Sequence, residues 1–218
     1  MVLEIDVWSD IACPWCWVGK RSLDAALARF DGEATVRWRA FELNPDAPNK
    51  APEQVDYAER LAAKYRTSKE EAQGFIDRMV NAGRGRGVEL RFDRIRPSNT
   101  FNAHRLLALA RTHGRQAEVG EALFSAYLHE GRSISDPETL ADVGERQGLD
   151  PGDITALLRG EAYVEQVRGD EAMARQYGIS SVPCFVLLDK RVAVSGAQPP
   201  EVLLEMFEQA GSGGGSEA

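Results

Sequence analysis

Cysteine is scarce in this chain: 218 residues hold three. That is too few for a disulfide framework, so any cysteine that is paired or reactive serves chemistry rather than architecture. A basic excess is also missing. The formal net charge is −8 and the sequence pI about 5.0, so there is no broad positive field to hold a nucleic-acid backbone or an anionic membrane. Arg and Glu are interspersed rather than blocked, which reads as solvated helix faces instead of an interaction tail. No segment approaches the roughly 20 apolar residues that span a bilayer. The opening Met1-Val2-Leu3-Glu4-Ile5-Asp6-Val7 has neither a basic stretch nor an apolar run of secretory type. The expectation is a soluble, cytoplasmic protein with neither nucleic acid nor membrane as partner, and in a reducing cytosol a close cysteine pair is catalytic or metal-binding.

Apolar residues, at 43%, are plentiful enough for a sizeable core, whether in one large domain or two modest ones. Leu3, Ile5 and Val7 alternate with Glu4 and Asp6, the period of a half-buried strand over residues 3–8. Ser9 and Asp10 offer helix-capping side chains and Pro14 suits a first helical turn, so a helix is expected from about Cys13. Leu23, Leu27 and Phe30 carry it on at helical spacing until Asp31-Gly32. Val36, Trp38 and Ala40 then alternate with Thr35, Arg37 and Arg39 up to Asn44-Pro45. The first 45 residues thus spell β-α-β, with parallel strands and a right-handed crossover.

From about Glu53 to Tyr177 no comparable strand pattern occurs. Helices are expected over stretches such as 55–65, 70–81, 99–112, 118–129 and 139–147. Strand patterning resumes at 184–188 and 192–194, with Asp189-Lys190-Arg191 as a hairpin turn, and a last helix runs from 200 to 209. Gly211-Ser212-Gly213-Gly214-Gly215-Ser216 reads as a flexible tail.

Cys13-Pro14-Trp15-Cys16 stands at the junction of the first strand and helix. Unpaired N–H groups and the positive end of the helix dipole favour a thiolate there, and CxxC cysteines so placed have pKa values of about 3.5 to 7 rather than about 8.5. Cys13 is therefore expected to attack. Cys16, one turn inward on the face of Leu23, is expected to stay shielded and protonated until it resolves the mixed disulfide formed on Cys13. CxxC is equally a zinc half-site, but His104, His113 and His129 form no second close pair and Cys184 is single, so the four-ligand pattern is incomplete. No metal is expected.

Ser181-Val182-Pro183-Cys184-Phe185 places a proline just before an apolar run. On sequence alone a trans proline at a strand start is the ordinary reading, because about 5 to 6% of X–Pro bonds are cis. Cys184 reads as a small buried apolar side chain. Trp17 is expected in the core; Trp15 reads either as exposed or as packed. His104 on a leucine-rich stretch reads as a packing residue rather than a catalytic base. Gly83-Arg84-Gly85-Arg86-Gly87 follows a helix and reads as a mobile loop, not a phosphate cradle.

The chain resembles the DsbA family of thioredoxin-fold oxidoreductases, and within it the FrnE-like branch. The resemblance covers nearly all of residues 3–209. It rests on Asp10-Ile11-Ala12-Cys13-Pro14-Trp15-Cys16, Phe41-Glu42-Leu43-Asn44-Pro45, Pro97-Ser98-Asn99-Thr100-Phe101-Asn102-Ala103-His104-Arg105, Gly178-Ile179-Ser180-Ser181-Val182-Pro183 and Ser195-Gly196-Ala197-Gln198. It implies an α/β, thioredoxin-like fold with a large all-helical insertion. Residues 1–45 and 178–210 form the thioredoxin-like part, 46–177 the insertion and connecting helix, and 211–218 the tail. It implies a cis Pro183 facing the CxxC pair, with Pro14, Trp15, Val182 and Pro183 as substrate-binding residues beside the catalytic Cys13 and Cys16.

The expected activity is dithiol-disulfide exchange with protein or low-molecular-weight thiol and disulfide substrates, glutathione possible among them, and with no cofactor. The family also includes glutathione-dependent kappa-class transferases and hydroxychromene carboxylate isomerases, in which a serine stands near the position of Cys13. The two cysteines here favour exchange, and a glutathione-addition assay separates the readings. A chaperone-like binding protein with an incidental CxxC is the rival from another class.

Overall fold

The computed structural model describes residues 2–50, 55–187 and 192–212, with side chains to residue 210. Leu188, the expected turn at Asp189-Lys190-Arg191 and the tail from Gly213 onward lie outside the described residues. Strand β1 (Leu3–Ser9), helix α1 (Pro14–Leu27) and strand β2 (Ala34–Ala40) form the opening β-α-β unit. The two strands are parallel, with Ile5 opposite Val36 and Val7 opposite Trp38. Strands β3 (Cys184–Leu187) and β4 (Val192–Ser195) pair antiparallel, and β3 runs antiparallel to β1, giving the sheet order β2-β1-β3-β4. Among the described residues seven helices lie between β2 and β3: α2 (Tyr57–Tyr65), α3 (Lys69–Arg84), α4 (Phe101–Thr112), α5 (Gln116–Leu128), α6 (Pro137–Arg146), α7 (Pro151–Arg159) and α8 (Val164–Gln176). The last helix, α9 (Pro200–Ser212), runs past the expected end at 209 and takes in Gly211 and Ser212 of the expected tail.

The apolar positions of the strands are divided between two cores. Leu3, Ile5, Val7, Phe185 and Leu187 meet Leu23 of α1 and Leu203 and Phe207 of α9 on one side. Trp8, Ile11, Cys184 and Val186 belong to the larger core of the helical block. Strand β1 is thus buried on both faces, not half-buried as its alternation suggests. Asp6 is 1% exposed and would be costly there without a partner. Arg39 on β2 supplies one at 2.8 Å and reaches Asp170 of α8 at 2.9 Å. Asp170 also accepts the backbone N–H of Ala40 at 3.2 Å, so one ionic group joins β1, β2 and α8.

Three local expectations are corrected. Helix α1 ends at Leu27 rather than at Asp31-Gly32, with Ala28 as its C-cap. Asp10 does not cap α1: Cys13 is the N-cap residue, and no side chain caps it. The glycine-arginine run does not wholly follow the helix: Gly83 and Arg84 end α3, and Gly85, Arg86 and Gly87 form a hydrogen-bonded turn. The Gly83 carbonyl accepts from Val88 N at 2.9 Å, Gly87 takes a positive φ of 69°, and Arg86 Nε donates to Ser22 Oγ at 3.2 Å.

Candidate active site

Strand β1 stops at Ser9, and three residues separate it from the first cysteine. Asp10 shapes that short link. Its Oδ1 accepts from Ala12 N at 3.1 Å, its Oδ2 accepts from Leu43 N at 2.7 Å, and its carbonyl accepts from Cys13 N at 3.0 Å. Asp10 therefore ties the approach to Cys13 to the segment leaving β2. The chain then enters α1 through Pro14, whose missing N–H falls where an intrahelical partner is lacking anyway.

Cys13 and Cys16 are both reduced and buried, at 5% and 0% exposure. Burial pushes the Cys16 thiol well above its ordinary range, and its hydrogen bond with Cys13 adds to the effect. The Asp10 backbone N–H and the nearby Ser9 hydroxyl oppose the shift, although that hydroxyl makes no hydrogen bond of ordinary geometry. Cys13 differs in facing outward: it lines a groove of about 580 Å³ with Pro14 and Trp15, whereas Cys16 and Cys184 do not. Its Sγ donates to the carbonyl oxygen of Val182 at 3.6 Å. The Val182-Pro183 peptide is cis. Pro183 packs on α1 at Gly19, where an added Cβ would come within 2.8 Å of the proline Cγ.

Of the predicted site residues, Cys13, Cys16 and Val182 come together directly, and Pro183 packs against α1 beside them. Trp15 is 38% exposed at the groove. Trp17 is buried, donates from Nε1 to Glu121 at 2.8 Å and stacks on Phe124. Cys184 faces Trp8 across β1 and β3, accepts from Ser195 Oγ at 3.5 Å, and is pushed up by burial. Among the described residues no group of three or more His, Cys, Asp and Glu is placed to hold a metal ion.

Sequence reasoning missed two features. His104 does pack in the interior, but its Nε2 stands 3.5 Å from Asp10 Oδ1 and has no hydrogen-bond partner. The signal available was Asp10 three residues before the first cysteine together with a lone histidine inside a matching motif. The far wall of the groove, from Tyr57, Leu61, Lys64, Tyr65, Arg66 and Phe75 onward, was missed as well. Tyr57 is so desolvated that its phenol is pushed up to about 12 and stays neutral.

The DSBA-like thioredoxin domain family matches residues 4–208. A crystal structure of the probable DsbA oxidoreductase SCO1869 from Streptomyces coelicolor is 38% identical, with a TM-score of 0.88 over 99% of this chain and 92% of that one. YwbO of Bacillus subtilis (strain 168), described as uncharacterized, is 28% identical over 96% of each chain. The cytosolic disulfide reductase DsbM from Pseudomonas aeruginosa, solved with GSH, shares the fold at 18% identity, with a TM-score of 0.67 over 95% of this chain and 98% of that one. The expected α/β, thioredoxin-like fold with its all-helical insertion is the observed one, and the chain belongs to the DSBA-like thioredoxin domain family of oxidoreductases.

Proposed function

We propose that the chain exchanges disulfides with protein and small thiol partners through Cys13 as nucleophile and Cys16 as resolving thiol. One observation carries the reading: Cys13 opens onto a groove at the start of α1 while its partner is sealed beneath it with a strongly held proton. The helix start stabilises the negative charge that Cys13 bears both when it attacks and when it leaves.

In the reducing direction the Cys13 thiolate attacks one sulfur of a substrate disulfide. The substrate S–S bond breaks, its second sulfur leaves as a thiolate and takes a proton, and a mixed disulfide remains on Cys13. Cys16 then loses its proton and attacks the Cys13 sulfur. The second substrate thiol departs, two electrons have passed to the substrate, and a Cys13-Cys16 disulfide is left. The reverse sequence oxidises a substrate dithiol. Val182 offers a backbone carbonyl next to the reacting sulfur, and Pro14, Trp15 and Pro183 border the place where substrate docks.

Glutathione belongs among the small partners of this reading, and the FrnE-like branch and a cytoplasmic setting belong to it too. The dithiol, where the isomerase relatives carry a serine, favours exchange over isomerisation. Equilibrating the protein in glutathione buffers and quantifying free thiols tests the function. A two-electron couple that vanishes on replacing either Cys13 or Cys16 is expected; a dithiol that never oxidises across the whole buffer range would overturn it.

A further inference from the structure

The groove beside Cys13 has an uneven charge. Among the described residues that line it none is acidic, although the chain as a whole carries a net charge of −8. Three are cationic: Lys64, Arg66 and Arg78. All three are exposed, and among the described residues none of them forms an ion pair, whereas Lys69 nearby on α3 is taken up by Asp56 and Glu59. Two of them lie over aromatic rings instead. The Arg78 guanidinium sits 4.7 Å from the centre of Phe75, and Lys64 Nζ 5.7 Å from that of Tyr65.

Arg66 adds a conformational observation. It is the C-cap of α2 and takes φ 53° and ψ 48°, a left-handed geometry that a side chain with a Cβ adopts at a cost. Glycine would relieve that cost, yet this position, flanked by the groove residues Tyr65 and Thr67, carries an arginine. Between the cations the groove is apolar and aromatic, with Trp15, Leu43, Tyr65 and Phe75 along it. Its volume of about 580 Å³ suits a short peptide stretch rather than a single side chain.

Resting on the exchange reading, we infer that this groove selects disulfides carried by acidic peptides, with Lys64, Arg66 and Arg78 receiving carboxylates that flank the reacting cysteine. The three cations set specificity and take no part in bond making. They concentrate anionic partners at Cys13 in a chain whose overall charge repels them. The apolar floor takes up the aliphatic or aromatic side chain beside the substrate cysteine. Exposed cations that pair with no carboxylate among the described residues can pair with an incoming ligand without breaking such an ion pair first.

Two measurements test this independently of each other. The first is alkylation of Cys13 by anionic iodoacetate against neutral iodoacetamide, compared with the same ratio for a free small thiol. The ratio at Cys13 should exceed the reference on the order of tenfold at low salt and fall toward it as salt is added. This readout needs no turnover, so it stands even if the exchange reading fails. The second is the rate of reduction of disulfides of differing charge: neutral bis(2-hydroxyethyl) disulfide, cationic cystamine, anionic oxidised glutathione, and a longer acidic peptide disulfide with its basic counterpart. Anionic substrates should outrun cationic ones on the order of tenfold, with the longer acidic peptide at least equal to glutathione.

The anionic-to-cationic ratio should collapse toward one in K64Q/R66Q/R78Q and invert in R78E with K64E. Because each ratio is taken within one protein, a loss of absolute rate in a variant does not obscure it. An alkylation ratio no higher than that of the free thiol, together with an anionic-to-cationic disulfide ratio near one, overturns the inference, whether or not the neutral disulfide is exchanged. Failure with the neutral disulfide alongside a high alkylation ratio counts against the exchange reading instead.

Discussion

The Cys13 thiol donates to the Val182 carbonyl oxygen across 3.6 Å, and Cys13 alone of the three cysteines also lines the groove. Access, rather than burial fraction, separates the three thiols, since all are below a tenth exposed. With limiting iodoacetamide at pH 6 to 7, mass spectrometry should therefore find Cys13 labelled first, ahead of both Cys16 and Cys184. Cys184 lies in β3 and burial raises its thiol, which lowers its reactive fraction. Preferential labelling of Cys184 would sink the assignment.

Replacing Cys16 with serine should trap substrates on Cys13, because the first attack does not need Cys16 but release of the mixed disulfide does. Adducts should accumulate on non-reducing gels, vanish in a Cys13→Ser variant and persist in a Cys184→Ala background. Near-normal turnover in Cys16→Ser together with its loss in Cys184→Ala would transfer the resolving role to Cys184.

Alkaline pH should destabilise the reduced protein through Cys16. In the unfolded chain that thiol ionises near pH 8.5, whereas in the folded chain burial and the contact with Cys13 hold its proton to higher pH. Below about pH 8.5 both states keep the proton and stability does not change on this account. Above it the unfolded state ionises first, so stability falls as pH rises toward the folded value. Urea midpoints of the reduced protein between about pH 7.5 and pH 10 should decline, and the decline should be shallower in Cys16→Ala. Equal slopes would show that Cys16 does not carry the effect.

Gly19 is a steric constraint on the site. A methyl group there would meet Pro183 Cγ at 2.8 Å and Phe185 Cζ at 3.3 Å, both of them ring atoms in packed surroundings. Gly19→Ala is expected to cost about 1–3 kcal/mol as overpacking, and to slow exchange by displacing Pro183 from its seat on α1. A variant of unchanged stability and rate would mean that the proline moves aside freely.

Arg39 stands between two buried carboxylates, Asp6 and Asp170, whose side chains are 1% and 8% exposed. Removing it leaves both uncompensated, so Arg39→Ala should lower stability by about 3–5 kcal/mol. Arg37→Ala, which breaks the half-exposed pair with Glu4, should cost no more than about 1 kcal/mol. Similar urea midpoints for the two variants would show that the Arg39 network is not what joins α8 to the sheet.

The strands were readable because alternation in Leu3, Ile5, Val7 and in Val36, Trp38, Ala40 reports a local period that tertiary structure leaves intact. What alternation could not report was that Asp6 lies inside. Its partner Arg39 is far along the chain, and Asp170 is farther still on α8, a helix whose N-cap Tyr163 sits at φ 64° with no side-chain capping bond to mark its start. Asp10 looked like a helix cap because capping residues are recognised by type and place. Its carboxylate instead holds Leu43, a contact made only once β2 has paired with β1. The CxxC pair was legible because both members lie within one helical turn. The cations of the groove were not, since Lys64, Arg66 and Arg78 in isolation match any solvated helix face, and that none of them forms an ion pair among the described residues emerges only from packing.

Apart from Leu43, the wall facing Cys13 is drawn from one stretch, Tyr57 to Met79 on α2, α3 and the turn between them, while Cys13 and Cys16 sit at the β1-α1 junction. On the proposed reading, the address and the chemistry of this molecule are thus written in separate passages of the chain. Exchanging that helical pair for another would redirect the dithiol to a new clientele while leaving its two sulfurs, and the sheet that carries them, as they are.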